Sequence, residues 1–140
     1  MRASRRSSRW LVPVLMCVAV PSLLQSQSAD SAAVSVARGK AICVSTCRSC
    51  HTVSPPTQAA PPMSRIAQRY LAVSGSRKVA SAKIMEWIFG PAALKSLLPA
   101  SAVARFGVMP HQPLADAGRF AVAAYVLTLA ESTPRRRHRR

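Results

Sequence analysis

The sequence predicts an all-α fold built from a single small domain. Four segments place apolar residues at the three-and-four spacing of a helix, at residues 33–46, 63–73, 80–89 and 116–131. The segments between them are rich in proline, which regular helices do not tolerate at that density. A chain of 140 residues that starts with an apparent export signal has room for one such domain, which we place at 34–131.

The first 29 residues have the layout of a secretory signal peptide. An apolar run from residue 10 to 24 is followed by small and polar residues. It is preceded by four arginines, Arg2, Arg5, Arg6 and Arg9. We expect cleavage between about residues 26 and 33 and a periplasmic location in a bacterium. The alternative is an uncleaved inner-membrane anchor, although the run is shorter than the roughly 20 residues that span a bilayer.

The first predicted helix carries small residues on one stripe. Gly39, Cys43 and Cys47 follow each other at intervals of four. A glycine inside a helix costs about 0.5–1 kcal/mol relative to alanine, so Gly39 indicates a close approach of another backbone. Cys43 on the same stripe is expected to be a small buried residue rather than a ligand.

Directly after this helix stands Cys47-Arg48-Ser49-Cys50-His51. Two thiols at this spacing followed by an imidazole are the attachment signature of a c-type haem. One helical turn presents both sulfurs to the two vinyl groups of a porphyrin, and the histidine nitrogen reaches the iron. Two other readings of the motif are a redox dithiol and half of a zinc site, but no second ligand pair for zinc appears.

A proline-rich loop at 53–62 follows the motif. Its carbonyl groups are candidates to accept a hydrogen bond from the second ring nitrogen of His51, which would fix the tautomer. The second and third helices come next, and Gly90-Pro91 ends the third.

Residues 91–113 form a long connection, and a connection of this length in a small domain usually carries function. It contains Met109, placed beside Gly107 and followed by Pro110. A loop of this kind can present a thioether to haem iron, and histidine–methionine ligation raises the reduction potential. His111 is the rival sixth ligand, although Pro110 makes binding by both side chains geometrically exclusive.

The chain has a formal net charge of +16, with only four acidic residues. Such a charge predicts acidic partners: an acidic protein, or an anionic membrane surface as a second candidate. Nucleic acid is excluded as a partner, because no recognition motif for it appears and the protein is exported. Arginines dominate the last residues, so we expect a basic disordered tail at 132–140.

From residue 36 to about 130 these features resemble class I cytochromes c. In that family a helix with a glycine leads into Cys-x-x-Cys-His, a later Met-Pro loop supplies the sixth ligand, and an aromatic terminal helix crosses the first helix. The resemblance therefore implies a cytochrome c fold, in which the crossed terminal helices and two to three short helices surround one covalent haem. It also implies that Gly39 meets Tyr125 at the crossing, with Phe120 on the same helix.

The resemblance also implies the role of each site residue. Cys47 and Cys50 would bind haem c covalently, and His51 and Met109 would ligate the iron. The carbonyl of Pro61 would accept the hydrogen bond of the ligand histidine. The indole of Trp87 would donate to a haem propionate.

The function implied is electron transfer by a monomer rather than catalysis. The iron would cycle between ferric and ferrous states with both axial ligands in place, and cations such as Arg48 and Arg105 would steer docking on an acidic redox partner. The alternative is that the protein is a haem c redox enzyme, or a subunit of one, with an open or exchanged sixth ligand.

Overall fold

The computed structural model describes residues 22–131, and side chains from Asp30 onward. This part of the chain is all-α and contains no strand, which confirms the predicted fold class. Its helices are α1 (Ser22–Ile42), α2 (Met63–Ser74), α3 (Arg77–Phe89), α4 (Ala100–Phe106) and α5 (Asp116–Thr128). The predicted signal core and basic tail lie outside the described residues.

Local chemistry explains where the middle helices end and begin. Gly75 closes α2 in the left-handed region, with φ of 70° and its N–H donating to the Leu71 carbonyl. Ser76 then starts α3, because its side chain accepts a hydrogen bond from the Val79 N–H at 3.2 Å. These two adjacent caps turn the chain sharply, so α2 and α3 pack against each other.

The core is organised around α5. Helix α5 consists mainly of apolar residues, and those from Ala121 to Val126 are buried, except for Ala124, which is half-buried. Helices α1, α3 and α2 all pack against it. A helix surrounded by three others must be apolar on most of its circumference, which is why its pattern shows no single polar face.

The closest approach in the core joins α1 to α5 at Gly39. A Cβ atom built on Gly39 would lie only 1.9 Å from the Ala121 carbonyl oxygen and 2.9 Å from the Tyr125 Cβ. The contact predicted between Gly39 and Tyr125 is therefore present. Phe120 lies on the same helix, as expected, with 49% of its surface exposed, because the crossing uses the face of α5 that carries Ala121 and Tyr125.

This close approach predicts that Gly39→Ala strongly destabilises the protein. The added methyl group meets backbone atoms, which cannot rotate away, so α1 and α5 must separate. We expect a loss of at least about 2 kcal/mol in the free energy of unfolding, measured by urea denaturation. Gly118→Ala is the matched control, because its Cβ finds only ordinary contacts at 3.7 Å and the helix gains about 0.5–1 kcal/mol. Equal midpoints for both variants would contradict this account.

The helices differ from the sequence-based expectation in three places. Helix α1 is already helical at Ser22, the first described residue, so it covers the expected cleavage region. Helix α3 begins at Arg77 rather than at residue 80. The long connection contains an unpredicted helix, α4, which starts directly after Pro99 and ends at Gly107. None of the helices described between residues 22 and 131 has the length and apolarity that crossing a membrane requires.

Candidate functional site

A largely apolar cavity of about 380 Å³ lies between the Cys47–His51 segment, α2, α3, the α4–α5 region and α5 itself. All six residues singled out from the sequence line it: Cys47, Cys50, His51, Pro61, Trp87 and Met109. They come from four separate parts of the chain, and the fold brings them together around one space. A volume of this size is typical of ligand and cofactor pockets.

The cysteines reach the cavity from the end of α1. Residues Cys43–Cys47 form one π-helical turn, in which the Arg48 N–H donates to the Cys43 carbonyl at 3.0 Å. The three described cysteines are all free thiols, and Cys43 and Cys47 line the cavity together with Cys50. Cys50 is exposed, Cys47 is half-buried and Cys43 is 1% exposed, which confirms the predicted burial of Cys43.

The side chains of Cys43 and Cys47 shift each other's pKa in opposite directions. The interaction with Cys47, together with burial, raises the pKa of the Cys43 thiol far above its ordinary value. The interaction with Cys43 lowers the pKa of the Cys47 thiol, against the opposing effect of burial.

His51 has a fixed ring orientation. Its Nδ1 donates to the Pro61 carbonyl at 2.7 Å, because a carbonyl oxygen can only accept. In neutral imidazole this leaves Nε2 unprotonated, with a lone pair available to a metal. The hydrogen bond that the resemblance implied between these two residues is thus present.

The loop between His51 and α2 is held by several hydrogen bonds. The Ala60 N–H donates to the Cys50 carbonyl at 3.0 Å, and the Met63 N–H donates to the Thr52 carbonyl at 2.9 Å. The Thr52 hydroxyl donates to the Pro56 carbonyl at 2.8 Å. Because both ends of the loop are tied to the motif, the Pro61 carbonyl stays in place beside the histidine.

Met109 and His111 lie in different surroundings. Gly107, with φ of 73°, reverses the chain after α4 and leads Met109 to the cavity wall, where it is half-buried. His111 is exposed and is not among the residues that line the cavity. Its Nδ1 donates to the Phe89 carbonyl at 2.8 Å, and its ring meets the Phe89 ring edge-on. This geometry favours Met109 over His111 as a ligand to anything bound in the cavity.

The remaining walls are mainly apolar. Trp87 is half-buried and lines the cavity from α3, and Tyr70 lines it from α2 with 2% of its surface exposed. Burial raises the pKa of Tyr70 to about 12, although a backbone hydrogen bond from Leu97 acts in the opposite direction. The other apolar lining residues include Met63, Ile66, Ile84, Ile88, Val103, Phe106, Leu114, Val122 and Val126.

The raised pKa of Tyr70 predicts a loss of stability at alkaline pH. The pKa of Tyr70 is about 12 in the folded protein and about 10 in the unfolded chain. The stability that this difference provides is complete below pH 10, and it is lost as the pH rises towards 12, because the unfolded chain gives up the phenol proton first. We expect a decrease of about 2–3 kcal/mol over this window, measured by denaturant unfolding at each pH. In Tyr70→Phe the decrease should be smaller by that amount, and identical pH profiles would contradict the prediction.

The described acidic side chains are mostly engaged in ion pairs away from the cavity. Glu86 pairs with Lys83 at 2.9 Å and Lys95 at 3.9 Å, and Arg77 pairs with Glu131 at 2.7 Å. The Lys83 hydrogen bond lowers the pKa of Glu86, which stays ionised.

Two arginine side chains, Arg48 and Arg105, lie close to the cavity. Arg48 is exposed within the thiol motif itself. Arg105 places its guanidinium 5.0 Å from the centre of the Phe106 ring, and that ring lines the cavity. Both arginines named from the sequence therefore stand next to residues of the cavity wall.

Sequence reasoning missed the contribution of α4. Val103 and Phe106 line the cavity from this helix, which the sequence analysis treated as part of a loop. A signal was present, because Pro99 suits the position before a first helical turn and Gly107 suits a helix end. Ser96 and Gln112 also line the cavity and had no distinguishing pattern.

The described histidine, cysteine and carboxylate side chains form no group of three or more that is placed to hold a metal ion by itself.

No protein-family model matches the sequence, and the searches of curated proteins and of solved structures also found no match.

Proposed function

We propose that the protein is an exported bacterial electron-transfer protein with a class I cytochrome c fold and one covalently bound haem c. Cys47 and Cys50 would provide the thioether links, and His51 and Met109 would bind the iron. The observation that carries the proposal is that one cavity collects all four side chains while the Pro61 carbonyl orients the His51 ring at 2.7 Å. The proposed location is the periplasm.

The chemistry of the cavity fits this cofactor. The walls are mainly apolar, as a porphyrin requires, and the two motif cysteines are free thiols. In the neutral imidazole the nitrogen not bonded to Pro61 has a lone pair that suits iron, and the Met109 thioether is a soft neutral ligand. Trp87, Ser96 and Gln112 bring the polar groups that could meet propionates at the edge of the cavity.

When bound, the haem supplies a one-electron ferric–ferrous couple. The apolar cavity walls would surround that group, and His51 and Met109 would both bind the metal, which would leave no place for a substrate on it. His51 keeps its orientation because Nδ1 is tied to Pro61. A site closed in this way favours electron transfer over catalysis at the metal.

Cationic side chains provide the proposed docking surface. Arg48 and Arg105 stand beside the cavity, and most of the described carboxylates are already paired elsewhere. An acidic redox protein would therefore be attracted to this side of the molecule, and salt would slow the association.

The proposal is tested by optical spectroscopy of the purified holoprotein. We expect low-spin spectra in both oxidation states, reversible reduction and no binding of carbon monoxide to the ferrous form. Immediate carbon monoxide binding by a high-spin ferrous form would overturn the carrier function and favour an enzyme with an open iron. Recovery of a reactive dithiol without haem would favour a thiol redox protein.

A further inference from the structure

We propose that Arg119 is a positioning residue for Met109, because its guanidinium fastens the end of the loop that carries the methionine to two helices. This methionine loop, residues 107–115, joins α4 to α5. The consequence for iron ligation rests on the proposed function. The attachment of the methionine loop to Arg119 rests on contacts within the chain alone.

The hydrogen bonds inside the methionine loop shape it without attaching it to a helix. The Gln112 side chain donates to the Pro110 carbonyl at 3.1 Å, and the Leu114 N–H donates to the Gln112 carbonyl at 2.8 Å. Pro110 and Pro113 have no N–H to donate to a neighbouring segment. The position of the loop beside the cavity therefore depends on contacts with the surrounding helices.

Arg119 joins the methionine loop to both of these helices. Its guanidinium donates to the Leu114 carbonyl and to the Asp116 carboxylate, at the start of α5. The same group lies 4.7 Å from the centre of the Phe89 ring, at the end of α3. A guanidinium suits this place, because its donors form a rigid planar fork and its face stacks on aromatic rings.

Burial distinguishes this contact from the other tie of the loop. Only 15% of the Arg119 side chain is exposed, so its charged hydrogen bond to Leu114 is partly shielded from water. The bond from His111 to the Phe89 carbonyl is on an exposed side chain, where water competes for it. Leu114 itself lines the cavity, as does Met109, so the guanidinium holds the loop end at the cavity wall.

The contact with Arg119 would set how often the methionine loop leaves the cavity. Met109 and an external ligand would compete for the same position on the iron, so the apparent affinity of that ligand rises with the fraction of molecules whose loop is displaced. Arg119→Gln removes the charge and the fork. Because a hydrogen bond to a charged group is among the stronger ones, we expect the affinity of the oxidised protein for imidazole to rise about tenfold.

Imidazole titration of the oxidised holoprotein, followed by optical spectra, measures this change. Arg77→Gln is the matched control, because Arg77 pairs with Glu131 at 2.7 Å and so joins the same two helices at their other end. We expect unchanged imidazole affinity in the control. Unchanged affinity in Arg119→Gln, or an equal rise in both variants, would overturn the proposal.

Phe89→Leu keeps the experiment decisive if Arg119→Gln does not fold. This substitution removes the ring beneath the guanidinium and keeps the backbone carbonyl that His111 uses. The Phe89 side chain is 60% exposed, so the core does not depend on it. We expect a smaller rise in imidazole affinity, and no rise would count against the proposal.

Limited proteolysis is a second readout that needs no haem. Chymotrypsin cuts after leucine, and Arg119 holds the carbonyl of the peptide bond that follows Leu114. Cleavage there should be faster in Arg119→Gln than in Arg77→Gln, because proteolysis follows the population of the opened form. Faster cleavage in a chain that carries no haem would overturn the proposed function and keep the attachment of the loop to Arg119. Equal cleavage rates in a chain that carries haem would overturn this inference and leave the proposed function standing.

Discussion

Replacing both Cys47 and Cys50 with serine is expected to abolish covalent haem attachment completely. Hydroxyl groups do not add to the vinyl groups of the porphyrin under conditions in which thiols do, and only these two cysteines stand at the attachment spacing. The measurement is haem staining of the exported protein after denaturing electrophoresis. The apolar cavity would then lack the proposed haem, so we also expect lower levels of folded protein.

The matched control for this experiment is Cys43→Ser. Cys43 lies in the same cavity and is more deeply buried than either motif cysteine, yet it stands outside the attachment spacing. Covalent haem should therefore be retained in this variant. Haem staining that survives the double substitution, or that disappears only when Cys43 is changed, would contradict the assignment of the thioether residues.

Replacing Met109 with alanine is expected to open the sixth coordination position of the iron. The side chain lines the cavity from the loop after α4, and alanine cannot reach or bind iron in its place. The ferrous protein should then become high-spin and bind carbon monoxide at once. The reduction potential should fall, because the histidine–methionine pair is the one that raises it. Spectra and redox titration measure both effects.

His111→Ala is the control for the methionine variant. The His111 ring is exposed and its Nδ1 donates to the Phe89 carbonyl at 2.8 Å, outside the cavity. We therefore expect unchanged spectra and potential in His111→Ala. A change of spin state in this variant, with Met109→Ala unaffected, would reverse the ligand assignment and make the site a bis-histidine one.

The features that the sequence predicts best are those set by local chemistry. The stripe through Gly39 and Cys43 correctly indicates a helix with a close backbone contact and a buried thiol, because helical periodicity fixes which residues share a face. The proline-rich loop correctly indicates a carbonyl partner for His51. In both cases a few neighbouring residues determine the outcome.

The features that the sequence predicts poorly depend on packing at a distance. The helical spacing of Phe120 does not tell that it is 49% exposed, because the shape of the neighbouring helices decides which face of an apolar helix meets α1. Helix α4 has only seven residues, too few for periodicity to separate it from a loop. The first turns of α1, from Ser22 to about residue 32, contain mostly small and polar residues, which carry little hydrophobic pattern.

The most direct test of the central claim is the mass of tryptic peptides from the protein exported by a bacterium that attaches haem c. The account predicts one haem per chain, carried by a species in which the peptides 41–48 and 49–65 are joined through Cys47 and Cys50. The result that would contradict it is a chain without haem whose two motif cysteines are both recovered as alkylated thiols.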